Sequence, residues 1–249
     1  MNEDLRNVVL GVLATGVSGS IGWLTRTYLW RRRLRRKQAF FGLPSGSECL
    51  LVVNRLAGSE RGVHATDVSA LLELSALIKD CGARPRVVQH DTARQGLGEI
   101  AEFCIGGPFS NRRMAAHLPN LLPGLTMNVE QEPPEDRGMF TVAGETYRAD
   151  RGLSEYVVLA RLTRGEGGRP VFLLCGQAAV TNEAAARHLA RHHKALAGKY
   201  GPDGTFVLLL RVVNSQAYGP DVVEIVADVT RQATARPLSS ATPPAPAAT

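Results

Sequence analysis

The chain lacks the signatures of several specialised scaffolds. Its four cysteines, Cys49, Cys81, Cys104 and Cys175, stand far apart with no CxxC pair. This points to neither a zinc ribbon nor a disulfide framework, and they read as small core residues in a reducing compartment. No glycine pattern completes the dinucleotide fingerprint, no Gly-Lys-Ser/Thr ends a phosphate loop, and no GxSxG elbow presents a serine nucleophile. Lysine is confined to Lys37, Lys79, Lys194 and Lys199, so nearly all 29 basic residues are arginine, a usage that points to a GC-rich bacterial genome. Charge is missing altogether between Asn7 and Thr25.

That uncharged run leads through Trp23, Tyr28 and Trp30 into Arg31-Arg32-Arg33-Leu34-Arg35-Arg36-Lys37, an order that predicts a membrane anchor. As a helix the run spans about 28 Å, close to the hydrocarbon thickness of a bilayer, with amphipathic rings at the headgroups. The basic cluster places the N-terminus outside and the body in the cytoplasm, at the inner face of the plasma membrane. A cleavable signal would carry its positive charges ahead of the apolar stretch, so its polarity is the reverse. The competing reading is a water-soluble helix, because Gly11, Gly16, Gly19 and Gly22 with Thr15, Ser18 and Ser20 dilute the hydrophobicity. Gly11, Thr15 and Gly19 share one face and could bring two such helices together as a homodimer.

The formal net charge of +6 belongs to this segment. Residues 1–37 hold eight basic and two acidic residues, leaving 21 of each sign in the remainder. A neutral body offers no global field for nucleic acid, so membrane lipid, contacted through residues 7–37, is the expected macromolecular partner. About 210 residues then suit one α/β domain with a sizeable core.

Residues 38–47, with Pro44 and glycines, read as a linker between the anchor (1–37) and a domain over 48–235; the Pro-Ser-Ala-Thr tail of 236–249 reads as disordered. Short apolar strands are predicted at 50–53, 86–89, 103–105, 156–162, 171–174, 206–213 and 222–229, the last two as a hairpin. Helices are predicted from Thr66 or Asp67 to Gly82, from Asn111 to Leu122, and from a Thr181 cap to Tyr200. Residues 126–163 read as a β-rich insertion. Continuous apolar strands alternating with helices predict a Rossmann-like three-layer α/β sandwich around a mainly parallel sheet.

Ligands bind such sheets outside the carboxyl ends of the strands. The strand exits carry Asn54-Arg55, His90-Asp91, Gly106-Gly107-Pro108, Gly176-Gln177 and Arg211. Around Gly106 and Gly107 the backbone could approach a ligand closely, Ser110 or Asn111 could cap a helix whose N–H groups favour an anion, and Arg112 and Arg113 would complement it. Asn54, Gly176, Gln177 and Thr181 would contact the remainder. The alternative is a tight turn with solvated arginines. Glu102, Asp91 and His90 are the acid–base candidates by position alone. His188 and His192 have a zinc-compatible i, i+4 spacing, yet with no third ligand and with Arg187, Arg191, His193 and Lys194 around them they read as a solvated basic face, so no metal site is expected. The resulting expectation is a membrane-anchored cytosolic domain binding a nucleotide or other phosphorylated small molecule, as a sensor or signalling module. The alternatives are a nucleotide hydrolase or glycosidase on the same scaffold, and a ligand-free protein-interaction scaffold.

Overall fold

A computed structural model describes residues 2–54, 62–93, 96–130, 133–163, 165 and 167–236, without the side chains of residues 2, 4–6, 8–19 and 134. Helix α1 (Asn2–Phe41) is continuous over 40 residues, about 60 Å of helix. Then come β1 (Glu48–Val53), α2 (Ala65–Asp80), β2 (Arg84–Gln89), β3 (Ala101–Ile105), α3 (Arg112–Leu121), β4 (Leu125–Met127), β5 (Phe140–Val142) and β6 (Glu145–Tyr147). The chain continues with β7 (Ser154–Leu162), β8 (Val171–Gly176), α4 (Ala179–Tyr200), β9 (Phe206–Val213), α5 (Ser215–Tyr218), β10 (Val223–Asp228) and α6 (Thr230–Thr234).

Seven strands form the central sheet in the order β10-β9-β7-β8-β3-β1-β2. The neighbours β2, β1, β3 and β8 are mutually parallel, whereas β7 and β10 run against their neighbours. Five strands therefore share one direction, and the expected mixed α/β sandwich with a mainly parallel sheet is present. The expected hairpin is the antiparallel pair β9–β10. The predicted β-rich insertion divides: β4, β5 and β6 form a separate antiparallel sheet, while β7 enters the centre of the main one. Pro85 is tolerated because β2 is an edge strand.

Alternation along the buried strands supplies two cores. On one face Leu51, Val53, Phe103, Ile105, Phe172, Leu174 and Phe206 meet the end of α1, α2 and α4. On the other, Leu50, Val52, Cys104, Leu173 and Cys175 meet α3, the small sheet and α6. All four cysteines are buried free thiols, as the sequence implied.

Residues 38–47 do not form the predicted linker. Helix α1 continues to Phe41 and ends in a left-handed Gly42 (φ 63°), with Leu43 N–H bonded to Gln38 O at 2.9 Å and Gly42 N–H to Ala39 O at 3.1 Å. This paired bonding satisfies two carbonyls of the last turn. Phe40, Phe41 and Leu43 are fully buried, with Phe41 against Phe172 at 5.5 Å and Phe40 stacked on Phe206 at 6.3 Å. The guanidinium of Arg161, itself 1% exposed, donates to Phe40 O (2.9 Å), Gly204 O (2.8 Å) and Pro202 O (2.7 Å). A buried cation thus caps the negative end of α1 through main-chain carbonyls. Upstream, Ile21, Trp23, Leu24, Tyr28, Leu29 and Trp30 are all exposed.

Among the described residues no helix is long and apolar enough to cross a membrane. The side chains of residues 8–19, most of the uncharged run and all of the proposed Gly11-Thr15-Gly19 face, lie outside the described residues, as do Arg55 and most of the tail.

Replacing Arg161 by Ala would take the donor from the Phe40, Pro202 and Gly204 carbonyls, the first of them buried, and is expected to cost about 3 kcal/mol. Urea unfolding checks this, and a loss below about 0.5 kcal/mol, the range of an ordinary surface substitution, contradicts the clamp.

Candidate functional site

Strand order reverses at β1, whose neighbours are β2 and β3. A cleft of about 370 Å³ opens beside the carboxyl ends of β1, β3 and β8, where a parallel sheet leaves room for a ligand. It is lined by residues at the starts of two helices: His64 and Asp67 of α2, and Ala178, Ala179 and Asn182 of α4. Gly107 and Ser110 bring in the turn that leads to α3. The positive ends of α2 and α4 therefore open on this cleft, a setting that favours negative charge.

Asp67 forms the floor. Its helix starts earlier than the sequence predicted, because His64 is the N-cap, its Nδ1 accepting from Thr66 N–H at 3.3 Å. Asp67 then occupies the third helical position and is 2% exposed. Asn54 at the end of β1 donates to one carboxylate oxygen (3.3 Å), and Asn182 of α4 donates to the other (3.1 Å). Burial pushes the Asp67 carboxyl above the usual carboxylate range, with the two asparagine bonds and the His64 charge opposing it. Both asparagines turn their amide nitrogens toward Asp67. Their carbonyl oxygens are buried and have no hydrogen-bond partner among the described residues.

Two glycines make space for these amides. A Cβ at Gly106 would lie 2.1 Å from the Asn54 amide, and one at Gly176 would lie 2.5 Å from Asn182 Oδ1. Gly106 also sits at φ 102°, a backbone that side-chain-bearing residues rarely adopt. Exposed residues form the rim, with Arg137 stacked 3.8 Å over the Phe109 ring and Arg151 nearby.

Of the sequence-predicted residues, Asn54, Gly107, Ser110, Gly176 and Gln177 line this cleft. Gln177 acts as a staple: it accepts from Tyr156 N–H (2.8 Å) and donates to Gly138 O (2.9 Å) and Tyr147 O (2.8 Å), tying the small sheet to the large one. Asn111 is the buried N-cap of α3, whereas Thr181, predicted as the cap of α4, is buried at the third position of that helix, behind the N-cap Ala178. Asn111 accepts from Arg113 and Met114 N–H and donates to Ile105 O, and the Thr181 hydroxyl bonds Ala178 O at 2.8 Å. Arg112 is exposed and does not line the cleft, and neither do His90 and Asp91. Asp67, Asn182, Arg137 and Arg151 are not among the site residues expected from the sequence. The signal for Asp67 was available, since an acid in the first turn after a central strand sits at the strand-exit edge.

Glu102 is not in the cleft. It is 1% exposed beneath α3, held by Arg113 through Nε (2.6 Å) and Nη2 (2.5 Å) and by His117 Nε2 (2.9 Å). Arg113 thereby turns inward to a carboxylate, away from any anion in the turn. Burial would raise the Glu102 pKa, but the His117 and Arg113 hydrogen bonds and charges together outweigh it and hold the carboxyl low. Glu102, Cys104 and His117 could present donor atoms within 4.8 Å of one another. That donor set fits a metal poorly, because the guanidinium occupies both carboxylate oxygens and burial pushes the Cys104 thiol up, keeping it protonated.

A second cleft of about 380 Å³ lies between α4 and β10. Arg187 pairs there with Glu183 and Asp221, and Lys199 with Asp228. His188 departs from the predicted solvated face: it is buried, and burial followed by the His192 charge lowers its pKa to about 4. The charged side chains of this groove are largely paired with one another, while His188 Nε2 is buried without a partner among the described residues.

No family model matches the chain, and no curated protein resembles it significantly in sequence.

The two buried acids should respond to pH in opposite directions. A carboxyl held low favours the fold above its unfolded pKa, and that contribution disappears as pH falls through the folded value. Glu102→Gln is therefore expected to cost about 3 kcal/mol at neutral pH, with the gap to wild type closing below the ordinary carboxylate range. A carboxyl held high favours the fold while protonated, and this is lost as pH rises through its folded value. Asp67→Asn should then raise the Tm at pH 7 and lose that advantage toward pH 4. Thermal unfolding across this range checks both, and gaps independent of pH contradict them.

Proposed function

We propose that the chain is a membrane-tethered sensor or signalling module whose Rossmann-like domain binds a nucleotide or other phosphate-bearing small molecule in the strand-exit cleft. The observation that carries this reading is the meeting of the α2 and α4 N-termini with the rim arginines Arg137 and Arg151 above the Asn54–Asp67–Asn182 floor. The phosphate sits at the rim and helix starts, and the polar remainder reaches the floor. Arg112 and Arg113, the anion ligands expected from sequence, give way to Arg137 and Arg151.

The tether reading rests on α1. Its exposed Ile21, Trp23, Leu24, Tyr28, Leu29 and Trp30 precede Arg31-Arg32-Arg33, the order of an apolar span, an aromatic belt and a cytoplasmic basic collar. The uncharged run ahead of them is helical throughout. In this arrangement the N-terminus lies outside the plasma membrane and the domain lies in the cytoplasm.

A second reading, a nucleotide-processing hydrolase, is favoured by one observation: Asp67 is a desolvated carboxyl with a raised pKa at the bottom of a cleft. Asp67 replaces Glu102 and Asp91 as its acid–base residue.

Calorimetric titration of the full chain in detergent, with ribonucleoside 5′-mono- and diphosphates, ribose 5-phosphate and inorganic phosphate, tests the binding reading. At least one nucleotide should bind, and Arg137→Ala and Gly107→Val should each weaken it about tenfold. No binding across this panel, or affinities untouched by both variants, overturns it. Chromatography of the same mixtures separates sensor from enzyme, since turnover abolished in Asp67→Asn would establish the second reading.

A further inference from the structure

We infer that the cleft floor selects a vicinal diol, so that its ligand is a ribosyl phosphate in preference to the deoxy counterpart; this rests on the reading that the cleft binds a phosphate-bearing small molecule. The floor is rich in acceptors. Asp67 accepts only, and its two asparagine partners spend their amide hydrogens on it. Asn54 Oδ1 and Asn182 Oδ1 remain buried and unpaired among the described residues, and Asn182 is 2% exposed while lining the cleft. A buried acceptor without a donor is costly, so the group that completes this floor must bring O–H or N–H bonds.

The surroundings decide which donor. A cation is disfavoured by the positive ends of α2 and α4, by Arg137 and Arg151 at the rim, and by the amide hydrogens that already face Asp67. Neutral hydroxyls meet the acceptors without that penalty. Two adjacent hydroxyls suit a floor with two separate amides that flank one carboxylate, each given space by its own glycine, Gly106 and Gly176. A ribose bearing its phosphate on the 5′ carbon places the diol at one end and the anion at the other. This matches acceptors at the floor and positive groups at the rim.

The experiment is calorimetric titration of the full chain in detergent with adenosine, guanosine, cytidine and uridine 5′-monophosphates, each beside its 2′-deoxy form. The ribo form of the best binder should bind about tenfold more tightly, the loss expected when one buried acceptor goes unsatisfied. Asn182→Ala should shrink that ratio toward one. Should Asn182→Ala fail to fold, the wild-type ratio decides alone. Equal affinity of ribo and deoxy forms overturns the diol inference and leaves phosphate binding standing. Absence of binding by either form overturns both. A ratio unchanged in folded Asn182→Ala overturns the assignment of the diol to this floor.

Discussion

The root of α1 fixes everything above it. Phe40 and Phe41 are built into the core with Phe103, Phe172 and Phe206, and the Arg161 guanidinium closes the helix end. Burial lowers the pKa of that guanidinium, with the Asp203 charge opposing it, yet an arginine stays charged, so the three carbonyls around it offset its desolvation. The exposed apolar stretch and the basic collar belong to the same unbroken helix whose end enters the core.

Cleft and root are joined by one element. Helix α4 begins at the cleft with Ala179 and Asn182 and reaches the root where His193 lies 5.6 Å from Phe41. Its first turn also carries the amide that binds Asp67 of α2, so α2 and α4 are cross-linked at the site itself. The parallel block β2-β1-β3-β8 brings three strand exits to one edge, and the glycines there leave only enough space for the polar floor.

Much of this was legible in the residues. Continuous apolar runs gave most strands, because strands covered on both faces need no alternation. Gly82 and Gly201 marked helix ends. The linker reading of 38–47 missed a cue, since Gly42 after two phenylalanines is a helix stop next to core residues. Individual site residues were harder. Arg113 beside a glycine turn looked like an anion ligand, but its partner Glu102 is eleven positions away and reaches it only once α3 folds over β3. Asp67 and Asn182 are 115 positions apart, and no local pattern couples them. Arg137 and Arg151 lie in the loops around the small sheet, which Gln177 holds in place through contacts 39 and 30 positions away in sequence.

The chain contains two tryptophans, Trp23 and Trp30, both exposed on α1 just ahead of the basic collar. Their fluorescence therefore reports the surroundings of this helix alone. In vesicles of phosphatidylcholine and phosphatidylglycerol, the account predicts blue-shifted emission shielded from aqueous iodide. Emission of a water-exposed indole, quenched by iodide as freely as tryptophan in solution, would contradict the claim that α1 seats the domain at a membrane.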